Sequence, residues 1–247
     1  MIKNFKQIKV LITRKLPEKI EIPAYLKLNH TQSEKYTEIK ERIKSTFTGA
    51  PSLAAITALR QYCCHPHIID EFLDESLIDI SPKYEHLINV IEEIFNRNEK
   101  VLIFSSYKKM IDTLVHDLNI RFNVWTDKID GSVETSRRQE CIDEFEEIKG
   151  TAILILNPKA AGAGLNITAA NHVIHYNPEW NPATEDQASA RAYRLGQDKP
   201  VSIHRFIYVD TLEEIMDLRL TRKREVADAI VVGNEGKDQK DLEKIFN

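Results

Sequence analysis

From residue 81 onwards the sequence alternates short apolar runs with helical segments of about 10 to 15 residues. Residues 101–104 and residues 152–156 are entirely apolar, which is typical of strands buried on both faces of a sheet. Further apolar runs follow at residues 172–176 and 202–208. Strands that alternate with helices in this way form βαβ units, so the pattern predicts an α/β fold with a mostly parallel sheet.

The two ends of the chain differ from this central pattern. Residues 16–22 suggest a short strand or an extended segment, and the Thr-Gln-Ser-Glu sequence at 31–34 matches a helix capping box. A second helix start at residues 211–214 predicts a long helix that ends near residue 232. We therefore predict three parts: an N-terminal segment with a helical protrusion over 1–80, an α/β lobe over 81–210, and a C-terminal helix and tail over 211–247.

Composition excludes several classes of protein. The chain has 247 residues, of which 42% are hydrophobic and 29% charged, so it can bury a core without disulfides. No apolar run approaches the roughly 20 residues of a membrane helix, and residues 1–6 lack a secretory signal, so we expect a cytoplasmic protein without a membrane partner. The net charge of -4 restricts any nucleic-acid surface to a local patch. Cys63, Cys64 and Cys141 suit a reducing compartment, and no second ligand pair supports a metal site.

A glycine-containing loop follows the apolar run at residues 152–156. Gly162 and Gly164 lie in it, where small residues let backbone N–H groups approach a phosphate closely. A tight turn without any ligand is the alternative. A dinucleotide fingerprint needs a third glycine where Ile167 stands, which disfavours an oxidoreductase.

A second candidate lies within residues 180–197. If residues 182–195 form a helix, Gln187, Arg191 and Arg194 lie on one stripe of it. Two arginines on one face can make multidentate contacts to a polyphosphate. The alternative is a solvated face in which these arginines pair with Glu185 or Asp186.

Together these segments resemble a known family. Residues 178–197 resemble motif VI of superfamily 2 helicases, in the Swi/Snf-type branch of DNA-translocating, chromatin-remodelling ATPases. The other segments match that family in order: residues 59–66 its helical signature, 101–107 motif IV, 130–145 the segment after it, 159–168 motif V, and 211–214 its closing segment. The resemblance implies a three-layer RecA-like lobe with an N-terminal helical appendage and a long C-terminal helix.

The resemblance also implies roles for individual residues. Arg191 and Arg194 would be arginine fingers, and Gln187, Gly162 and Gly164 would lie at the nucleotide. Four residues would face the DNA backbone: Ser105, Ser132, Arg138 and Lys159. The chain departs from the family at Ala161, where a glycine is usual, and at Asn157, where a small hydroxyl residue is usual.

The family's first lobe has no counterpart in this sequence, which contains neither a phosphate-binding Gly-x-x-x-x-Gly-Lys-Ser/Thr loop nor an Asp-Glu-x-His box. We therefore expect the second RecA-like lobe of a motor, inactive alone, with ATP and Mg²⁺ bound mainly by the missing lobe. The expected partners are that first lobe and double-stranded DNA. We expect a monomer that acts at the nucleoid or in the nucleus.

A different hypothesis is a stand-alone regulatory lobe that binds nucleic acid or protein without catalysis. The retention of Arg191 and Arg194 argues against it, because such a lobe would not need them.

Overall fold

A computed structural model of the protein describes residues 16–46, 53–69, 76–160 and 165–229. This part of the chain contains six strands that pair into one sheet, every pair parallel. The strands are β1 (Lys19–Leu26), β2 (Val101–Phe104), β3 (Thr126–Ile129), β4 (Ile153–Leu156), β5 (His172–His175) and β6 (Val201–Tyr208). Their order across the sheet is β1-β6-β5-β2-β4-β3.

The helices alternate with strands from residue 82 onwards, which confirms the predicted α/β class. They are α1 (His30–Thr46), α2 (Leu53–Cys64), α3 (Pro82–Asn96), α4 (Lys108–Phe122), α5 (Thr135–Glu147), α6 (Pro182–Ser189) and α7 (Leu212–Ala229), with a 3₁₀ turn at Pro66–Ile68. Among the described helices, none has the length and apolar character needed to cross a membrane. The predicted tail beyond residue 229 lies outside the described residues.

The central strands β2, β4 and β5 bury all their side chains, as expected for strands covered on both faces. Alternate residues point to opposite faces of the sheet and enter two separate core clusters. One cluster packs under α3 and α4 and contains Val101, Ile103, Ile153, Ile155 and Ile174. The other packs under α5 and α6 and contains Leu102, Phe104, Leu154, Leu156 and Val173.

Strand β3 lies further along the chain than the apolar pattern indicates. Residues 122–125 read as a strand from the sequence, but Phe122 is the last residue of α4 and the strand is Thr126–Ile129. Asn123 ends the helix in the left-handed conformation, with φ of 49°. Asn tolerates this conformation better than most residues. The polar strand residues are half-buried because β3 is an edge strand.

Strand β1 forms the opposite edge of the sheet, so the sheet continues across the boundary predicted at residue 81. The carbonyls of Glu18 and Leu26 accept hydrogen bonds from the residues that flank or begin β6. Alternation along the strand therefore turns Pro23 towards the open side of the edge. A proline there removes a donor that has no partner in the sheet, and it interrupts the row of N–H groups that another strand could use.

Helices α1 and α2, which lie in the segment predicted as a helical protrusion, pack against α7. Their shared core includes Tyr36, Ile39, Leu59 and Met216. The cap of α1 is not the predicted Thr-Gln-Ser-Glu box, because the Asn29 side chain accepts the N–H of the third helical residue at 2.8 Å. Ser81 caps α3, and its side chain accepts a hydrogen bond from Tyr84 N.

A buried ion pair joins α3 to α7. Lys83 Nζ donates to both carboxylate oxygens of Glu213, at 2.7 and 2.6 Å, and the two side chains are 0% and 2% exposed. Glu213 Oε2 also accepts the N–H of Tyr208, and Lys83 Nζ lies 4.5 Å from the centre of the Tyr208 ring. No sequence pattern predicts that these charges meet, because 130 residues separate them.

Candidate functional site

Because the strands are parallel, their carboxyl ends lie along one edge of the sheet, where open α/β proteins bind their ligands. The predicted site residues with described positions follow β2, β3, β4 and β5 at this edge. Gly162 and Gly164, together with Ala161, lie outside the described residues. The edge therefore carries two groups of candidates, one around α6 and one beyond β3 and β4.

Helix α6 is held in place at both ends. Asn181 caps it by accepting the N–H of Ala183, and Pro182 occupies the first helical turn. Near its other end, the hydroxyl of Ser189 hydrogen-bonds His175 Nε2 of β5 at 2.8 Å. The Ser189–His175 bond thus joins the end of the helix to the sheet.

Helix α6 ends at Ser189 and does not reach residue 195 as predicted. The N–H groups of Arg191 and Ala192 bond to carbonyls three residues earlier, so the chain leaves the helix as tight turns. Gly196 then adopts φ of 107°, which favours glycine. Arg191 and Arg194 therefore lie on turns and not on a helix face.

These turns nevertheless bring the three predicted residues together. Gln187, Arg191 and Arg194 line one cavity of about 410 Å³, with Leu16, Ala190, Tyr193 and Leu195. Gln187 and Arg194 are exposed, and Arg191 is half-buried. Two arginines and a glutamine therefore share one cavity, which favours an anionic group there.

The surroundings of Arg191 favour such an anion. Within the described part of the chain, its Nη1 donates to Leu165 O at 3.3 Å, and its Nε is buried without a hydrogen-bond partner. Burial and the adjacent Arg194 cation both lower the pKa of Arg191. Glu185, one of the ion-pair partners considered above, is buried and accepts the N–H of Glu179 at 2.9 Å.

The loop before β5 is tied to the arginine turns. Ile167 N donates to the carbonyl of Arg191. Gln197 Nε2 donates to the carbonyls of Thr168 and Ala170, at 2.9 and 2.8 Å. The described end of the glycine loop and the arginine turns therefore form one hydrogen-bonded unit.

Beyond β3 and β4, three predicted residues lie close together. Arg138 Nε donates to Val133 O, and its Nη1 donates to Ala160 O at 3.3 Å, so this guanidinium joins the two loops. Ser132 and Lys159 are exposed on these loops. The group presents a cation and a hydroxyl to solvent.

An ionised carboxylate lies beside this group. Burial acts to raise the pKa of Asp130, but hydrogen bonds from Ser132 and the nearby Lys128 and Lys108 cations outweigh it and lower the pKa. The two ammonium groups lie 3.7 and 3.6 Å from Asp130 Oδ2. Asp130 thus stays charged, and two lysines compensate its charge.

Ser105 does not face solvent, in contrast to the prediction. Its side chain is fully buried, and its hydroxyl donates to Asn177 Oδ1 at 3.0 Å. The next residue, Ser106, is half-buried and donates to Glu179 Oε1. Sequence analysis missed Ser106, Asn177 and Glu179, although polar residues directly after buried strands were an available signal.

The geometry can now be compared with known proteins. The family described as "Helicase conserved C-terminal domain" matches residues 82–196. YwqA of Bacillus subtilis is 37% identical over 227 residues, which are 87% of this chain and 24% of that protein. The DNA repair and recombination protein RAD54 of Saccharomyces cerevisiae is 29% identical, over 96% of this chain and 29% of its own length.

Solved structures also resemble this chain. The C-terminal part of the Fun30 ATPase domain superposes with a TM-score of 0.74 at 25% identity, covering 94% of this chain and 99% of that one. The chain belongs to the family of helicase C-terminal domains, in the branch of Swi2/Snf2-type ATPases. The Sulfolobus solfataricus SWI2/SNF2 ATPase core in complex with double-stranded DNA gives 0.72 at 30% identity, covering 91% of this lobe and 48% of that chain.

The Swi2/Snf2-type lobe thus has the predicted RecA-like fold. It spans 24% of the length of YwqA and 29% of the length of RAD54. Among the described residues of the lobe, no group of three or more His, Cys, Asp or Glu side chains could hold a metal ion.

Proposed function

We propose that this lobe is the second motor lobe of an ATP-driven double-stranded-DNA translocase, in which Arg191 and Arg194 act as arginine fingers. The observation that carries the proposal is the cavity that Gln187 shares with both arginines. Burial and the Arg194 cation lower the pKa of Arg191, so the two guanidinium groups interact unfavourably there. An anion between them relieves that repulsion.

The residues present fit the outer end of a nucleotide. ATP supplies the γ-phosphoryl group whose developing charge the two guanidinium groups would stabilise. Gln187 would orient them, and Gly162 and Gly164 remain proposed neighbours of the nucleotide. The described residues offer no carboxylate set for Mg²⁺, so we assign that ion to the first lobe.

We place the DNA backbone at the loops after β3 and β4. Ser132, Arg138 and Lys159 supply the donors and positive charge that phosphates require, without reading sequence. Because Ser105 is buried, it supports this surface by holding Asn177 and does not contact DNA directly.

The names of the relatives support the rest of the proposal. One solved relative is a SWI2/SNF2 core bound to duplex DNA, and others are DNA repair and chromatin remodelling proteins. We propose that the lobe works with a first RecA-like lobe, as a monomer, at the nucleoid or in the nucleus. Without that first lobe we expect the chain to be inactive.

The test compares ATP turnover by the full-length motor with that of Arg191→Ala and Arg194→Ala variants, with and without duplex DNA. Loss of an arginine finger reduces turnover by roughly 10³- to 10⁵-fold. Duplex affinity is expected to stay measurable, because neither arginine lies at the DNA surface. Arg42→Ala, which removes an exposed arginine of α1, is the matched control. Near-normal turnover in either variant would refute the finger assignment.

A second measurement tests the isolated chain. After circular dichroism confirms folding, phosphate release from ATP is followed with and without duplex DNA. A folded chain that releases no phosphate supports a lobe that needs its partner. Turnover well above background would contradict that assignment.

A further inference from the structure

Five polar residues connect the two groups of candidate residues through consecutive hydrogen bonds. They are Asn157, Ser106, Asn177, Glu179 and Glu185, and we call them the polar relay. They follow β4, β2 and β5 and end inside α6. The function proposed above assigns none of them a contact with nucleotide or DNA.

The first half of the relay holds the loop after β4. Asn157 Oδ1 accepts the N–H groups of Lys159 and Ala160, at 3.0 and 3.3 Å. Asn157 Nδ2 donates to the carbonyl of Ser106 at 3.2 Å. Since Ala160 O accepts from Arg138, this asparagine ties the proposed DNA-facing group to Ser106.

The second half runs from Ser106 to α6. The Ser106 hydroxyl donates to Glu179 Oε1 and accepts from Asn177 Nδ2, the latter at 2.9 Å. Asn177 Oδ1 accepts the N–H of Ser106 in return, at 3.1 Å. Glu179 N then donates to Glu185 Oε1, which lies two residues before Gln187 on α6.

Burial makes the relay sensitive to displacement. Asn177, Glu179 and Glu185 are all buried, so water cannot replace a partner that moves away. A buried polar group left without its partner is destabilising, because it has lost its hydrogen bonds to water as well. A shift at one end is therefore less costly if the other members follow it.

We propose that the polar relay couples the loop that faces the DNA backbone to the position of α6, so that Ser106 is a positioning residue for the arginine turns. This inference rests on the function proposed above. It assigns Ser106 no contact with nucleotide or DNA. Contact of a phosphate backbone with the loop would change the position of Asn157, and the relay would carry that change to α6.

Two substitutions interrupt the relay at different links. Asn157→Asp keeps the oxygen that accepts from Lys159 and Ala160 but removes the donor to Ser106. Ser106→Ala removes the hydroxyl between Asn177 and Glu179. Ser106→Thr keeps a hydroxyl there and should therefore preserve the coupling. Ser45→Ala, at an exposed serine of α1, is the matched control.

The experiment uses the full-length motor and measures ATP turnover without DNA, turnover at saturating duplex DNA, and duplex affinity. Coupling between sites is typically worth 5- to 150-fold, so we expect Asn157→Asp and Ser106→Ala each to reduce the stimulation by DNA at least about fivefold. Turnover without DNA should stay within about twofold of the unchanged motor in both variants, because it does not depend on the coupling. Duplex affinity should stay within about twofold in Ser106→Ala. In Asn157→Asp the new carboxylate lies beside the proposed DNA surface, so its stimulation is compared only at saturating duplex DNA. If both changes cut one relay, the double variant should be no worse than the more severe single variant.

Thermal unfolding of each variant shows whether it is folded. Unchanged stimulation in a folded Ser106→Ala motor overturns the relay while leaving the proposed function intact. Equal losses of turnover with and without DNA also overturn it, since they indicate a structural role alone. A motor that DNA does not stimulate before any substitution would refute the proposed function, and the relay with it.

Discussion

The buried pair of Lys83 and Glu213 allows a quantitative test of how this lobe holds its C-terminal helix. In Lys83→Met the volume is nearly conserved, but Glu213 stays buried without its cation. Removing one partner of a buried ion pair typically costs about 3–5 kcal/mol. Burial raises the pKa of Glu213, and the Lys83 charge opposes that rise. Without Lys83 the pKa of Glu213 should rise further.

The sign of the pH dependence follows from that shift. A carboxyl whose pKa is higher in the folded than in the unfolded state is protonated more readily when folded, so it favours folding at acid pH. The decrease in free energy of unfolding caused by Lys83→Met should therefore be smallest at acid pH. It should grow as the pH rises past the ordinary pKa range of glutamate. Urea unfolding followed by circular dichroism at several pH values measures it.

The double variant Lys83→Met/Glu213→Gln decides the interpretation. The glutamine can still accept the N–H of Tyr208, and no unpaired charge remains. We therefore expect the double variant to recover most of the free energy of unfolding that Lys83→Met loses. Lys35→Met is the control, since it breaks an exposed pair with Glu38 worth at most about 1 kcal/mol. If the double variant loses as much stability as the two single variants together, the unpaired charge is not the cause and the interpretation is refuted.

Two further predictions concern the sheet. Burial, followed by the nearby His172, His86 and Arg97 charges, lowers the pKa of His204 to about 4, so stability should fall as the pH drops from about 6.5 to 4. Urea midpoints across that range measure how stability depends on pH. His204→Gln should make this dependence weaker, and an equal dependence in the variant would contradict the prediction. Leu154→Ala, in a fully buried position, should cost about 2–5 kcal/mol in urea unfolding, and a loss below about 1 kcal/mol would mean that the core collapses around the cavity.

The sequence predicted the interior of the sheet well because burial on both faces leaves a simple pattern. The runs at β2 and β4 are apolar throughout, and neither a helix face nor a loop of that length produces such a run. Edge strands lack this signal. Residues 126–128 of the edge strand β3 are polar and half-buried, so the preceding Phe122 and Trp125 were mistaken for the strand.

The grouping of three candidate residues was predictable from the sequence, but their geometry was not. Gln187, Arg191 and Arg194 do meet, but through turns, because helix ends depend on local hydrogen bonds that spacing does not reveal. Ser105 and Ser106 are adjacent and chemically identical, so only the direction of each side chain after β2 separates a buried donor from a half-buried one. The relay partner Glu179 lies 73 residues from Ser106, beyond the reach of local patterns.

The pairing of β1 with β6 also bears on synthesis of the protein. These neighbours are separated by about 180 residues, so the first described strand leaves the ribosome long before its partner exists. During that interval Ile20 and Ile22 are available to any extended chain nearby. Pro23, with Lys19 and Glu21 beside it, makes such a premature association unfavourable. The residue that terminates the edge of the finished sheet thus also protects the nascent chain.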